Sequence, residues 1–251
     1  MPILASDALV LRAYKMGETS KIVVLLSRGY GKVRAVAKGV RGRRVRHQSA
    51  LEPLSEVRVS LYGRQGAELY RLGGCELIRS SFPLVGRSVE ASLLLSYLAE
   101  LLDAFSPEGQ CDDAVYRLAL AALDAAQSGV PLVLVQLYAE AWLLRLHGVY
   151  PPLDRCAGCG GTLPSGELGY HAPARGFVCT GCGPAAGPVF GAGPRRMLEQ
   201  VFRSKPGALA HDLVSQTSGL DAFHQELITA HVEHPLRSHR VLREVALEPP
   251  G

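Results

Sequence analysis

The stretch KIVVLLSRGYGKVRAVAKGVRGRRVRHQSA, Lys21 to Ala50, decides how the chain is read. Two short runs rich in Val and Leu, KIVVLLS and KVRAVA, flank the turn signal RGYG, which is the pattern of paired strands. The second run then opens into an arginine-rich loop. From Thr19 to Leu51 there are nine Lys and Arg (Lys21, Arg28, Lys32, Arg34, Lys38, Arg41, Arg43, Arg44 and Arg46), together with His47 and no Asp or Glu. Alternation puts Lys32 and Arg34 on one face of their strand, away from Val33 and Ala35. A solvated loop and a clamp on a polyanion both use such runs, and nine cations without a balancing acid favour the clamp. A phosphate backbone calls for a row of cations, and Gly39 and Gly42 let the loop conform to it.

DALVLRAY before this stretch, and EVRVSLY and AELYRLGGCELI after it, complete five strands within 79 residues. Five short strands with a long loop after the third predict a small barrel, either an OB-fold or an SH3-like barrel. Tyr14, Tyr30, Tyr62 and Tyr70 are candidates for stacking on unpaired bases, although each taken singly reads more readily as core or strand-face packing. Charge separates this segment from the rest. Residues 1–79 carry 15 Lys and Arg against 6 Asp and Glu, whereas the other 172 carry 12 against 17. The chain's net +4 therefore conceals a basic module joined to an acidic one.

From about Ser80 the periodicity becomes helical. Apolar residues recur at helical spacing over 85–105, 112–128 and 131–147, and again over 194–204 and 219–245, the last with a kink at Pro235. Asp112 and Asp113 are start signals for the second of these helices; Gly129 ends it and Pro131 opens the third. A Gly- and Pro-rich insert, 150–193, separates the two helical sets. The expected organisation is α+β and multidomain. It comprises a nucleic-acid-binding barrel over 1–79, a helical domain over 80–153 and 184–251, and a cysteine insert over 154–183.

Within the insert, Cys156 and Cys159 precede Cys179 and Cys182 in two C-x-x-C pairs, at the spacing of a zinc site. Glycines after each pair let the backbone turn and aim N–H groups at the sulfurs. Four thiolates would fill a tetrahedral shell, so the ion would be structural. Two disulfides are the competing reading, but MPILASDALV lacks the features of an export signal, and a reducing cytoplasm favours metal. Cys75 and Cys111 read as small buried hydrophobes. In GPRRMLEQ, Arg195 and Arg196 fall at a helix N-terminus, where the dipole disfavours cations unless an anion completes the site. They form a second, smaller candidate patch. The eight histidines read as scattered surface or capping residues.

No phosphate-binding Gly-Lys loop is present, and His224 and Glu226 form an H-x-E downstream rather than upstream of the cysteines, against the deaminase order. An enzyme is not expected. The apolar run PLVLVQLYAEAWLLRLHGV is interrupted by Gln136, Glu140, Arg145 and His147, so it reads as a buried helix rather than a membrane span.

ALVLRAYKMGETSKIVVLLSRGYGKVRAVAKGVR (Ala8–Arg41), GVYPPLDRCAGCG (Gly148–Gly160) and HPLRSHRVL (His234–Leu242) together resemble the bacterial RecO family of recombination mediators. The early run holds the G-E-x-[SD]-[KR] turn, the Gly-Lys hairpin follows, and YPPLDRC enters the cysteine insert. The resemblance spans nearly the whole chain. It implies an OB-fold that binds single- and double-stranded DNA, annealing of complementary strands, and help in loading RecA onto DNA coated with single-strand-binding protein. It also implies RecR as partner and a cytoplasmic, nucleoid-associated location. The residues expected at the DNA are Lys32, Arg34, Lys38, Arg41, Arg43, Arg44 and Arg46, then Arg195 and Arg196. An RNA- or ribosome-associated OB/zinc-ribbon factor and a nuclease are the rival classes.

Overall fold

The computed structural model describes residues 3–16, 18, 20–38 and 49–247. The arginines at 41, 43, 44 and 46 therefore lie outside the described residues. Contacts divide the chain into two units. The first holds the residues up to Leu123 and those from Leu236 onward, and the second holds Asp124–Pro235. This division cuts across the helical body expected from sequence.

The first unit begins with five strands: β1 (Ile3–Met16), β2 (Ser20–Ser27), β3 (Gly31–Ala37), β4 (Glu56–Tyr62) and β5 (Tyr70–Arg79). They close in the order β1-β2-β3-β5-β4, antiparallel except for β3 with β5. β5 is thus inserted between β3 and β4, the Greek-key arrangement of the OB-fold. Alternation fills the interior with Ala8 and Val10, Val23 and Leu25, Val33 and Ala35, Val57, Val59 and Leu61, and Tyr70.

Three bulges shape the strands. Leu11, Gly73 and Ile78 are each left unpaired between matched neighbours. The unbroken buried run Ala8–Leu11 is buried on both faces, Ala8 and Val10 in the barrel interior and Leu9 and Leu11 outside it. Leu9, Leu11, Val24 and Leu26 are fully buried although none belongs to the barrel interior.

Three helices follow the barrel: α1 (Phe82–Val85), α2 (Val89–Phe105) and α3 (Asp113–Gln127). α2 packs on β1. The Ser88 hydroxyl caps α2 by accepting from Ala91 N, and Asp112 caps α3 by accepting from Ala114 N and Val115 N at 2.8 and 3.1 Å. Gly129, at φ 89°, follows α3 as expected. In the second unit lie α4 (Leu132–Leu146), α5 (Ala192–Arg203) and α6 (Leu220–Val232), with a small sheet of order β7-β6-β8. Its strands are β6 (Leu168–His171), β7 (Gly176–Val178) and β8 (Val189–Phe190).

The single late helix expected over 219–245 is two. Glu233 turns left-handed at φ 63°, Pro235 cannot continue the ladder, and α7 (Arg237–Leu247) starts afresh in the first unit. There it packs on α2. The Glu100 carboxylate receives Arg237 N at 3.3 Å, Ser238 N at 2.8 Å and the Ser238 hydroxyl, capping α7 from the side of α2. Burial pushes the Glu100 carboxyl up, but the Ser238 and Arg237 donors and the Arg12 charge outweigh it and hold it below its ordinary value. A depressed carboxyl contributes stability that is present above about pH 4.5 and lost as pH falls further. Glu100→Gln is therefore expected to lower the urea midpoint at pH 7, with the gap to the parent closing below about pH 4.

Gly31 ends the β2–β3 turn at φ 66°, and a Cβ there would stand 2.1 Å from the Gln110 carbonyl oxygen. Left-handed backbone costs a side chain about 1–2 kcal/mol, and this clash is with backbone that cannot swing aside. Gly31→Ala should lose roughly 2–4 kcal/mol in a urea titration, whereas Gly66→Ala, at φ 82° with open space around it, should lose only the backbone term.

Candidate nucleic-acid interface and metal centre

The barrel sorts its cations into two groups. On one side each cation meets an acid. Lys32 Nζ lies 3.1 Å from Asp103 Oδ1 and donates to the Asp103 carbonyl at 2.7 Å, and Arg12 Nε meets the other carboxylate oxygen of Asp103 at 3.0 Å. Arg34 pairs with Glu108 at 2.7 Å, Arg28 with Asp113 at 2.7 Å and Arg58 with Asp7 at 2.8 Å. Gly109 N bonds the Lys32 carbonyl at 3.0 Å, so the segment after α2 lies along the start of β3. Lys32 and Arg34 do share one face, as the alternation predicts, but acids of the same unit occupy it. The Lys32 side chain is only 12% exposed and is a brace rather than an open phosphate contact.

At the other end the cations stand without acids. Lys15 and Lys21 face each other across β1 and β2, a like-charge pair that opposes strand pairing. Lys38, Arg64 and Arg71 line a groove of about 840 Å³ with Met16, Tyr62 and Leu69. Among the described residues none of these five cations has a carboxylate partner, and Glu18 and Glu68 in the flanking turns pair with none of them. Lys38, which in sequence precedes the arginine-rich segment, is among the residues lining this groove.

Of the four tyrosines, Tyr70 is 3% exposed in the barrel core, with its hydroxyl accepting from Gly66 N at 3.0 Å. Tyr30 packs against the same core. Tyr14 is exposed, opposite Ile22, and Tyr62 is half-buried in the groove wall. Lys21 belongs to the basic run but not to the DNA contacts expected from sequence, and Lys15, Arg64 and Arg71 were not singled out there. Their signal is the pairing register, which a linear reading does not supply.

The second predicted patch divides. Arg195 is buried: its guanidinium pairs with Glu199 at 3.0 Å and donates to the carbonyls of Pro164 and Leu153. The expectation that an anion would complete this site is corrected by those acceptors, which satisfy Arg195 internally. Arg196 is exposed on the next position of α5.

The four cysteines converge. Their sulfurs lie within 4.8 Å of one another, and Cys159 Sγ is 3.8 Å from Cys179 Sγ. A disulfide needs about 2.05 Å, whereas a tetrahedron with metal–sulfur bonds of about 2.3 Å has an edge of about 3.8 Å. The donor set fits a metal ion. The fold also prepares the site for anionic sulfur. The backbone around Cys159, Cys179 N at 3.3 Å and Gly158 N at 3.4 Å direct donors to Cys156 Sγ, lowering this thiol to about 6. A Cβ on Gly158 would stand 3.0 Å from Cys182 Sγ, so this glycine lets the two pairs close together. Ala157 N bonds the Phe177 carbonyl at 2.8 Å, fastening the first pair to β7. The Phe177 ring joins Tyr170, Phe190 and Phe223 in an aromatic core.

A buried polar chain runs beside that core. His224 Nδ1 meets Glu140 Oε2 at 2.9 Å, Tyr150 Oη meets His224 Nε2 at 3.1 Å, and Gln136 and Gln225 each donate to Glu140 Oε1 at 3.0 Å. Glu140 and His224 are fully buried, so His224 is not the surface residue expected from sequence. Its place among Leu220, Phe223, Leu227 and Ile228 at helical spacing was the available signal. Burial and the Glu140 charge push the Tyr150 phenol well above its ordinary value, so it stays a neutral donor.

The model of the recombination protein O N-terminal domain matches residues 1–81, and that of its C-terminal domain matches residues 87–240. The chain belongs to the RecO family. A DNA repair protein RecO of Koribacter versatilis is 34% identical over 79% of this chain and 80% of its own length. One from Pelotomaculum thermopropionicum is 31% identical over 100% of this chain and 98% of its own, and one from Anaeromyxobacter sp. is 32% identical over 90% and 89%. The RecO family match covers both units and the whole four-cysteine site.

Cys156→Ser should reduce the metal content of the purified protein from one equivalent to a small fraction, measured by elemental analysis. A loss of a few kcal/mol would lower the thermal midpoint by roughly 5–15 °C. Cys111→Ser, outside the site, should leave both unchanged.

Proposed function

We propose that this chain is a non-enzymatic mediator of recombinational DNA repair. It binds single- and double-stranded DNA without sequence preference, anneals complementary strands and, with RecR, helps RecA load onto single-stranded DNA covered by single-strand-binding protein. One observation carries the DNA-binding part: the barrel compensates the cations on one side and leaves five uncompensated on the other, beside a groove and at the root of an arginine loop. Annealing, RecR and RecA follow from family membership together with the chemistry. Two strands of like charge repel, and a cationic surface that contacts phosphates lowers that repulsion for any sequence.

On this reading Lys38, Arg41, Arg43, Arg44 and Arg46 contact phosphates, joined by Lys15, Lys21, Arg64 and Arg71. Arg34, half exposed beside Glu108, and Arg196 lie at the periphery, and Lys32 and Arg195 serve the fold. The metal is zinc, held by four thiolates in a closed shell, and its role is architectural. Among the described residues no helix is long and apolar enough to cross a membrane. The place of action proposed is the cytoplasm, at the nucleoid.

The test is the salt dependence of single-stranded DNA affinity. Replacing Arg41, Arg43, Arg44 and Arg46 by Ala should reduce the log–log slope by roughly three units, and replacing Lys38, Arg64 and Arg71 by roughly two, at about 0.7 per lost contact. Unchanged slopes in both variants would sink the reading. Tighter binding of RNA than of DNA at equal length would turn it toward an RNA-associated factor.

A further inference from the structure

Tyr62 is the last residue of β4, and the alternation that sends Val57, Val59 and Leu61 inward sends its ring outward. Directly across from it stand Ile3 on β1, which is exposed, and Arg71 on β5. The next residue but one after Arg71 is Gly73, the unpaired residue of the β5 bulge. A Cβ on Gly73 would fall 1.9 Å from Tyr62 Cε2 and 2.6 Å from Cδ2. The ring therefore turns its Cε2 edge to bare backbone at a position no side chain can share. It lines the groove together with Arg64, Arg71, Met16 and Leu69.

Among the described residues the Tyr62 hydroxyl has no hydrogen-bond partner. The ring is thus positioned by its edge and not by its polar end, in contrast to Tyr70, whose hydroxyl is tied to Gly66. A neighbouring glycine completes the arrangement. A Cβ on Gly63 would fall 2.8 Å from the Tyr70 ring, so the turn after Tyr62 closes tightly over the barrel mouth. Two glycines thus close over one tyrosine inside and seat the edge of the other at the surface, leaving its faces to the groove side.

We infer that Tyr62 is a stacking platform for an unpaired nucleobase, and that Gly73 positions it. This rests on the reading of the barrel as a DNA binder and adds a specificity to it. An aromatic face accepts any base but only from an unstacked strand, since a base inside a duplex has both faces covered. Cations at Arg64 and Arg71 hold the flanking phosphates. The platform would make this groove the part of the protein that distinguishes single from double strands, while the loop binds both.

The experiment compares three ligands of equal length: a deoxythymidine oligonucleotide, the same backbone with abasic sites, and a duplex. Parent protein should prefer the base-bearing strand to the abasic one. Tyr62→Ala should weaken the base-bearing strand by roughly five- to a hundredfold, the range for losing one stacked base, and leave the abasic strand, the duplex and the salt slope unchanged. Tyr62→Phe should retain the preference, and Gly73→Ala should lose it although the tyrosine is present. An unchanged ratio of base-bearing to abasic affinity in Tyr62→Ala would overturn the platform while leaving the DNA-binding reading intact. Parent protein that bound none of the three would overturn both. If Tyr62→Ala lost all three ligands together, Tyr62→Leu decides: a uniform loss there too makes Tyr62 a packing residue and ends the proposal.

Discussion

Asp103 receives two cations from two strands, Arg12 of β1 and Lys32 of β3, and the arrangement of the first unit follows from that convergence. Lys32 and Asp103 are largely removed from water, so each needs the other; a buried or half-buried charge left alone costs far more than the pair contributes. Glu100, one turn earlier on α2, extends the contact to Arg12 at 3.7 Å and on to the N-terminus of α7. One helix edge thus joins the barrel to the returning end of the chain. The price of that joint is that one face of the barrel is closed to anions. A polyanion is left with the opposite end, where Lys15, Lys21, Lys38, Arg64 and Arg71 stand without acids.

The second unit solves a different problem. Its three strands are four, three and two residues long, too short to hold a sheet by their own hydrogen bonds. Two things hold them. Phe177 and Phe190 bury their rings against Phe223 of α6, and the cysteine site fastens the loop before β6 to the turn after β7. A four-thiolate shell has no vacant position for a substrate, which agrees with a fastening role. The Tyr150–His224–Glu140 chain lies in the same unit with donors and acceptors matched, as a buried polar group requires.

What the sequence made legible were features set by near neighbours. The β3 alternation placed Lys32 and Arg34 on one face, the C-x-x-C spacing brought four sulfurs together, and Asp112 marked the start of α3. What it concealed came from distant residues. Asp103 is 71 residues from Lys32, and the carbonyls that receive Arg195 belong to Leu153 and Pro164. The dipole argument for Arg195 was sound as far as it went: a cation at a helix start does need compensation, and the protein supplied it internally. Tyr62 and Tyr70 look alike as letters. They part because the two-residue period sends one outward at the end of β4 and the other inward at the start of β5, and because a bulged glycine makes room for the edge of the outward ring. The helical region read over 219–245 carried a kink at Pro235, and the structure makes it a full break, with Glu233 left-handed and α7 starting afresh at Arg237.

On the proposed reading, the uncompensated end would let a binder indifferent to sequence keep a defined face. Lys15 opposite Lys21 weakens strand pairing by a few tenths to about 1 kcal/mol, and nothing in the described protein returns it. On the reading proposed above, a phosphate between them would remove the repulsion, and part of the affinity would come from relieving a cost built into the free protein rather than from new contacts. Such relief depends on charge and spacing and not on base identity. It would also fall steeply with salt and be exchanged phosphate by phosphate, as the proposed annealing of two strands would require. Uncompensated cations therefore belong at the mouth of the barrel and would be out of place under α2, where Lys32 has to stay fixed to Asp103 for the first unit to hold together.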